Sequence, residues 1–194
     1  MKLFDRNYYE NEVFEEISLD ISKTDFNSVT FKNCDFSEKQ LKANDFIRCK
    51  FINCNFLSTD FTDSKLEEPI FKSCRLSGMN WSRLRDSLHS KYIFEQCDLR
   101  FSAFVDKDFF MSEFNECKIN ESEFDSCKLN KTKFSSDLLL VSFKNCELNK
   151  ADFSRSKNVF IDLVSNKVKG MKLSDRQLEG LIGQFGVEVV EDEY

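Results

Sequence analysis

A large apolar residue returns at every fifth position from Ile21 to Trp81, through Phe26, Phe31, Phe36, Leu41, Phe46, Phe51, Phe56, Phe61, Leu66, Phe71 and Leu76. A helix repeats every ~3.6 residues and a strand every ~2, so neither element alone produces this spacing. A fixed short period is the mark of a solenoid, in which each repeat buries its apolar side only against its neighbours. The beat resumes at Phe94, Leu99, Phe104, Phe109, Phe114, Ile119, Phe124, Leu129 and Phe134. It then slips by one residue to Leu138, Phe143, Leu148 and Phe153. Of 22 phenylalanines, 16 stand on the beat, so the aromatic excess is structural.

All eight cysteines (34, 49, 54, 74, 97, 117, 127 and 146) lie two residues before a beat residue. Elsewhere that slot holds Thr24, Thr59, Ser64, Ser102, Ser112, Ser122, Thr132, Ser136 or Ala151. The slot therefore wants a small side chain, and reduced cysteine buries well as a small hydrophobe. No C-x-x-C and no nearby histidine supports zinc. If four pentads close a turn, Cys34, Cys54 and Cys74 stack at about 4.8 Å, within the Cα range of a disulfide. Stacked side chains point in parallel, however, so free thiols are expected.

Written as pentads the chain reads TDFNS, CDFSE, NDFIR, CNFLS, TDFTD, CDLRF, SEFNE, SEFDS, CELNK and ADFSR. These are similar to the A-(D/N)-L-x-x consensus of the pentapeptide-repeat family, over about residues 19–154. The resemblance implies an all-β fold, a right-handed quadrilateral β-helix with one pentad per side, and here a C-terminal helix and short strand. Some residues depart from the pattern. Lys39 and Lys107 sit in small-residue slots, where an unpaired ammonium is costly to bury, and local bulges turning both outward are expected. Leu19, Met79 and Tyr92 overfill the slot. Pro69 lacks a backbone donor and belongs at a corner.

Read in order, residues 1–19 form an irregular first coil and 1–173 the repeat body. Residues 82–93 are an excursion that breaks the phase and adds three residues. It carries Arg83, Arg85, His89 and Lys91, and loops leaving a rigid scaffold often hold recognition residues. Outward apolar residues Phe101, Val105, Phe110, Met111, Leu139 and Leu140 suggest a contact surface or the seat of the excursion. In residues 174–194, Ser174 reads as an N-cap with Gln177 at the third helical position. Leu178, Leu181, Ile182 and Phe185 follow on one helical face, and residues 187–190 read as a strand. The segment serves either as a cap on its own rod or as a twofold dimer contact through Leu178, Leu181, Ile182, Phe185, Val187 and Val189; the dimer is the favoured reading.

The net charge of −6 is carried by the ends, since residues 1–20 and 188–194 each contribute −4 and the body is +2. No apolar run approaches the ~20 residues of a membrane span, and no signal peptide is recognised, so a cytoplasmic protein is expected. With one histidine, no phosphate-binding glycine loop and no metal cluster, neither an enzyme nor a cofactor is expected. No basic stripe with interleaved aromatics supports direct nucleic-acid binding. Within its family the chain most resembles the branch of quinolone-resistance, microcin-immunity and albicidin self-protection proteins, through GMNWSRLRDSLHSKYIFEQCDL, NVFIDLVSNKVKGMKLS and the terminal helix and strand. That resemblance implies a dimeric rod that mimics duplex DNA, binds DNA gyrase or topoisomerase IV and frees it from poisons. Asp20, Asp60, Asp63, Asp106, Glu123 and Asp125 fall on one side and form the candidate partner-facing surface. A scaffold with an unrelated partner and an immunity factor for one toxin are the alternatives.

Overall fold

The computed structural model describes residues 7–87, 91–183 and 186. Its strands are two to six residues long and pair only in parallel, giving a β-solenoid of about seven turns. Phe31 stands over Phe51 and Phe51 over Phe71, so a regular turn takes twenty residues, four pentads. The first side is built on Ile21, Leu41, Phe61, Trp81, Phe104, Phe124 and Phe143. The second is built on Phe26, Phe46, Leu66, Phe109 and Leu129. The third runs from Phe14 and Phe31 to Phe134 and Phe153, and the fourth carries Phe36, Phe56, Leu76, Leu99 and Ile119. Inside, rings stack along each side, with Phe94 and Phe114 centroids 4.9 Å apart and Phe114 and Phe134 4.8 Å. Rings of adjacent sides meet edge to face, as Phe26 and Phe31 do at 5.3 Å.

The slot does more than admit small residues. Each turn leaves the carbonyl of its core residue facing the interior, where an unpartnered acceptor costs about 1–3 kcal/mol. In most turns the slot side chain of the next coil supplies the donor, and elsewhere a backbone N–H can do so, as Thr59 N–H does for Phe56 at 3.1 Å. Thr59 Oγ1 donates to the Phe36 carbonyl at 2.7 Å, Ser122 Oγ to Leu99 at 2.8 Å and Cys74 Sγ to Phe51 at 3.3 Å. Asn44 and Asn166 do the same for Ile21 and Phe143. Many slot hydroxyl and amide oxygens also accept the slot N–H of the preceding coil, as Ser122 Oγ does from Ser102. All eight thiols are free and buried, as expected.

Corners fall two residues after each core residue. From Lys23 to Ser73 every such residue has φ between 48° and 60°, a left-handed conformation costing a non-glycine residue roughly 1 kcal/mol. The side chain there points to solvent, so Glu38, Arg48 and Phe101 serve as well as asparagine. Pro69 sits in a slot at the corner before the Ile70–Lys72 strand, where the ladder asks for its carbonyl but not for an N–H.

Three irregularities have distinct causes. Tyr9 stands over Phe26 and Phe14 over Phe31, so the first coil is short by three residues, lost between Leu19 and Ile21. Phe94 stands over Phe71, which places the three extra residues within the excursion. At Phe134 the one-residue slip removes a corner residue: the Lys133–Asp137 strand runs straight on, and Lys118 pairs with Asp137 after the shift. The bulges expected at Lys39 and Lys107 are not formed. Lys39 keeps the regular turn bond to Phe36 at 3.0 Å, and Lys107 turns inward because it finds acceptors there.

Candidate protein-docking face

Within the excursion Asp86 takes a core position and points outward, its side chain 90% exposed. The hole is filled from the following slot. The Tyr92 ring lies 5.1 Å from Phe109 and 6.3 Å from Trp81, and its hydroxyl donates to the Leu66 carbonyl at 2.9 Å. Tyr92 thus fills the core and supplies the slot donor, and burial pushes its phenol pKa up. Lys107, in the slot before Phe109, donates from Nζ to the Leu84 carbonyl at 2.7 Å and to Asp86 at 3.0 Å. The inward ammonium is stable because both contacts are acceptors. A cleft of about 320 Å³ opens beside them, lined by Arg85, Asp86, Ser87, Tyr92, Asp106 and Lys107 among others.

The sequence-predicted loop residues diverge. Arg83 lies on the first side, 3.8 Å from Asp60. Arg85 crosses to the second side, where it pairs with Asp45 and donates through Nε to the Asp63 carbonyl at 2.7 Å. Lys91 is exposed, and His89 lies outside the described residues.

The six acids do share the first side. Asp20 Oδ1 accepts from Gln40 N–H at 2.7 Å. Asp60 bridges to Gln40, and Glu123 and Asp125 lie on the Glu123–Asp125 strand beside Ala103–Val105, with Asp106 at the corner. Two are neutralised within the chain, Asp60 by Lys42 at 3.0 Å and Glu123 by Lys144. The Thr62 hydroxyl, then Lys42, hold the Asp60 carboxyl low, at about 2. Among the described residues Asp20, Asp63, Asp106 and Asp125 form no ion pair, and the exposed Lys23 at a corner of the same side forms none either. Coil-to-coil pairs such as Lys65–Asp45 at 3.1 Å, Lys72–Glu95 at 3.2 Å and Lys167–Glu147 at 2.8 Å occupy other sides.

At the C-terminal end α1 spans Asp175–Gly183. Gln177 Oε1 accepts from Ser174 N–H at 2.7 Å, half of the expected capping box. Its Nε2 donates to the carbonyls of Phe153 at 2.8 Å and Ser156 at 2.6 Å, so the helix extends the slot-donor pattern beyond the last regular coil. Leu181 is buried in the chain's own core, Ile182 is half-buried and Leu178 is exposed. Phe185, Val187 and Val189 lie outside the described residues, as does the strand read at 187–190. The outward apolar residues also divide: Phe101, Leu139 and Leu140 lie at the fourth side and its corner, Phe110 and Met111 on the second. No helix among the described residues is long and apolar enough to cross a membrane.

Residues 24–88 match the family described as "Pentapeptide repeat region", and the same slot, core and corner geometry continues through Phe153. Residues 24–88 are thus a pentapeptide-repeat region. The whole chain is similar in fold to a trypsin-treated variant of QnrB1, a plasmid-mediated fluoroquinolone resistance protein. The two are 19% identical over 95% of this chain and 92% of that one, with a TM-score of 0.52. Full-length QnrB1 is 16% identical over 93% and 100%, with a TM-score of 0.42. HetL, a pentapeptide-repeat protein involved in heterocyst differentiation regulation in the cyanobacterium Nostoc, is 15% identical over 87% and 83%, with a TM-score of 0.43. No curated protein matches the sequence.

Proposed function

We propose that this pentapeptide-repeat protein is a non-enzymatic, cytoplasmic, homodimeric DNA mimic that binds DNA gyrase or topoisomerase IV and protects it from quinolones or peptide toxins. The observation that carries the reading is the first side. Among the described residues Asp20, Asp63, Asp106 and Asp125 stand without an ion pair along one side of the rod, while coil-to-coil pairs tie up part of the charge on the other sides. A rigid rod with fixed acids on one side presents charge and shape together, and complementarity of that kind sets partner choice and encounter rate. The fold is that of a fluoroquinolone resistance protein, and the excursion borders the acidic side through Arg83. Dimerisation would use the exposed Leu178 and the residues beyond Gly183.

A second reading, an interaction scaffold for an unrelated partner, is favoured by the +2 charge of the body, since duplex DNA carries one phosphate per ~1.7 Å of axis. The deciding experiment is gyrase supercoiling with ciprofloxacin, titrated with the purified protein beside a drug-free control. Restored supercoiling supports protection. No effect in either arm sinks the topoisomerase reading in favour of the scaffold.

A further inference from the structure

Among the described residues the first side ends on an open sheet edge. Along its length each coil is joined to the next: Leu41 N–H donates to Asp60 O at 2.8 Å, Glu123 N–H to Ser102 O at 3.0 Å, Ser142 N–H to Ser122 O at 3.0 Å and Ser126 N–H to Lys144 O at 2.9 Å. Among the described residues the last strand on this side, Ser142–Lys144, pairs only with Glu123–Asp125. The groups that would continue the ladder are the Val141 carbonyl and the N–H groups of Phe143 and Asn145. Among the described residues they make no backbone bond to residues 158–165. That segment stands away because Asn158 holds a left-handed φ of 51° and spends its amide on Asp137 at 2.7 Å. Asp162 then closes a local turn on Val164 and Ser165.

Between strand and segment lies a groove of about 490 Å³ lined by Leu139, Leu140, Phe143 and Phe160, with Lys144 and Asp162 at its rim. Leu140 is 71% exposed, Phe160 60% and Leu139 50%. An unpaired strand edge beside apolar side chains is the arrangement that captures an extended peptide: main-chain bonds supply affinity and alternate side chains fill pockets. The charges choose the peptide. On this half of the side Asp106, Glu123, Asp125 and Asp162 face outward with Lys144 as the one base, and Lys144 is already engaged by Glu123. An acidic strand would be repelled and a basic one attracted.

We propose that the Ser142–Lys144 edge is a β-augmentation site for an extended segment of a partner protein in which apolar residues alternate with lysine or arginine. The proposal stands independently of the topoisomerase reading.

The test uses the full chain with a short fluorescent peptide of alternating valine and lysine, read by anisotropy, together with amide hydrogen exchange at Phe143 and Asn145. Saturable binding that slows exchange at those two amides is expected. Binding should weaken at least tenfold in the Leu140→Ser, Phe160→Ser double variant, which removes the apolar contact without adding charge and whose exposed positions leave the unfolding midpoint unchanged. A peptide N-methylated on alternate residues should not bind. Equal affinity of the double variant, or tighter binding of a valine–glutamate peptide, would overturn the proposal. So would amides already protected without peptide, which would mean that the chain covers its own edge, or protection rising with protein concentration, which would mean that a second copy does.

Discussion

The Tyr92 hydroxyl donates to the Leu66 carbonyl at 2.9 Å, across the hole that Asp86 leaves in the core. One side chain thereby closes the solenoid at the place where an excursion interrupts it. Tyr92→Phe keeps the ring and leaves the carbonyl unpartnered, so a loss of about 1–3 kcal/mol in denaturant unfolding is expected. Tyr92→Ala also opens the cavity and should lose about 3–5 kcal/mol. Equal losses for the two variants would show that the hydrogen bond alone holds the closure.

Ser122 tests the slot rule in an unbroken coil. Its hydroxyl donates to Leu99 and accepts from Ser102, so Ser122→Ala strands two buried groups. A loss of about 2 kcal/mol is expected. Ser122→Cys, which puts into this slot the residue found in eight others, should lose less. If alanine matches cysteine in urea unfolding, the slot selects for size alone.

Gln177→Glu replaces a donating amide with a carboxylate aimed at the carbonyls of Phe153 and Ser156. The helix Asp175–Gly183 should detach, seen as faster amide exchange over those residues, while the coils from Ile21 to Phe134 keep their protection. Unchanged exchange in the helix would show that Leu181 packing is sufficient to hold it.

The Asp60 carboxyl is held at about 2 in the fold, against about 3.9 in an unfolded chain. A lowered folded pKa contributes stability that is present above the unfolded value and lost as pH falls toward the folded one. Thr62→Val should therefore raise the Asp60 pKa and reduce stability near neutral pH, with the difference from the parent shrinking from about pH 4 to about pH 2. Carboxyl NMR titration reads the first and unfolding at the two pH values the second.

Reversing Asp63, Asp106 and Asp125 together to lysine should leave the unfolding midpoint nearly unchanged, since none of the three makes an ion pair among the described residues. Under the proposed function it should abolish gyrase protection. Intact protection would place the partner surface on another side.

The period of five was enough to assign core, slot and side to most residues, because burial alone dictates the apolar beat and the slot cysteines. The left-handed corners left no trace in composition: Glu38, Arg48 and Leu140 point to solvent, so nothing selects their type. The donor role of the slot was legible, and size obscured it. Lys107, Tyr92, Asn44 and Asn166 look like misfits to a rule of small residues, and like ordinary members to a rule that a buried carbonyl needs a donor. The shared side of the acids followed from counting pentads. Their neutralisation by Lys42 and Lys144 depends on partners about twenty residues away, and whether such long side chains reach each other is a matter of rotamers rather than spacing. The open edge at Ser142–Lys144 arises from a single failed beat at Asn158, which the sequence shows as a defect without showing where the strands part.

The buried thiols carry a consequence for how the rod comes apart. Cys34, Cys54, Cys74, Cys97 and Cys117 mark five successive coils along one edge, and each is shut away while its coil is closed. Burial also makes such thiols poor nucleophiles, with Cys49 pushed up to about 12. Alkylation therefore waits for local opening, which differs in free energy from one part of a protein to another. A brief exposure to a thiol reagent, followed by mapping of the modified cysteines, would record which coil yields first and in which direction unfolding spreads.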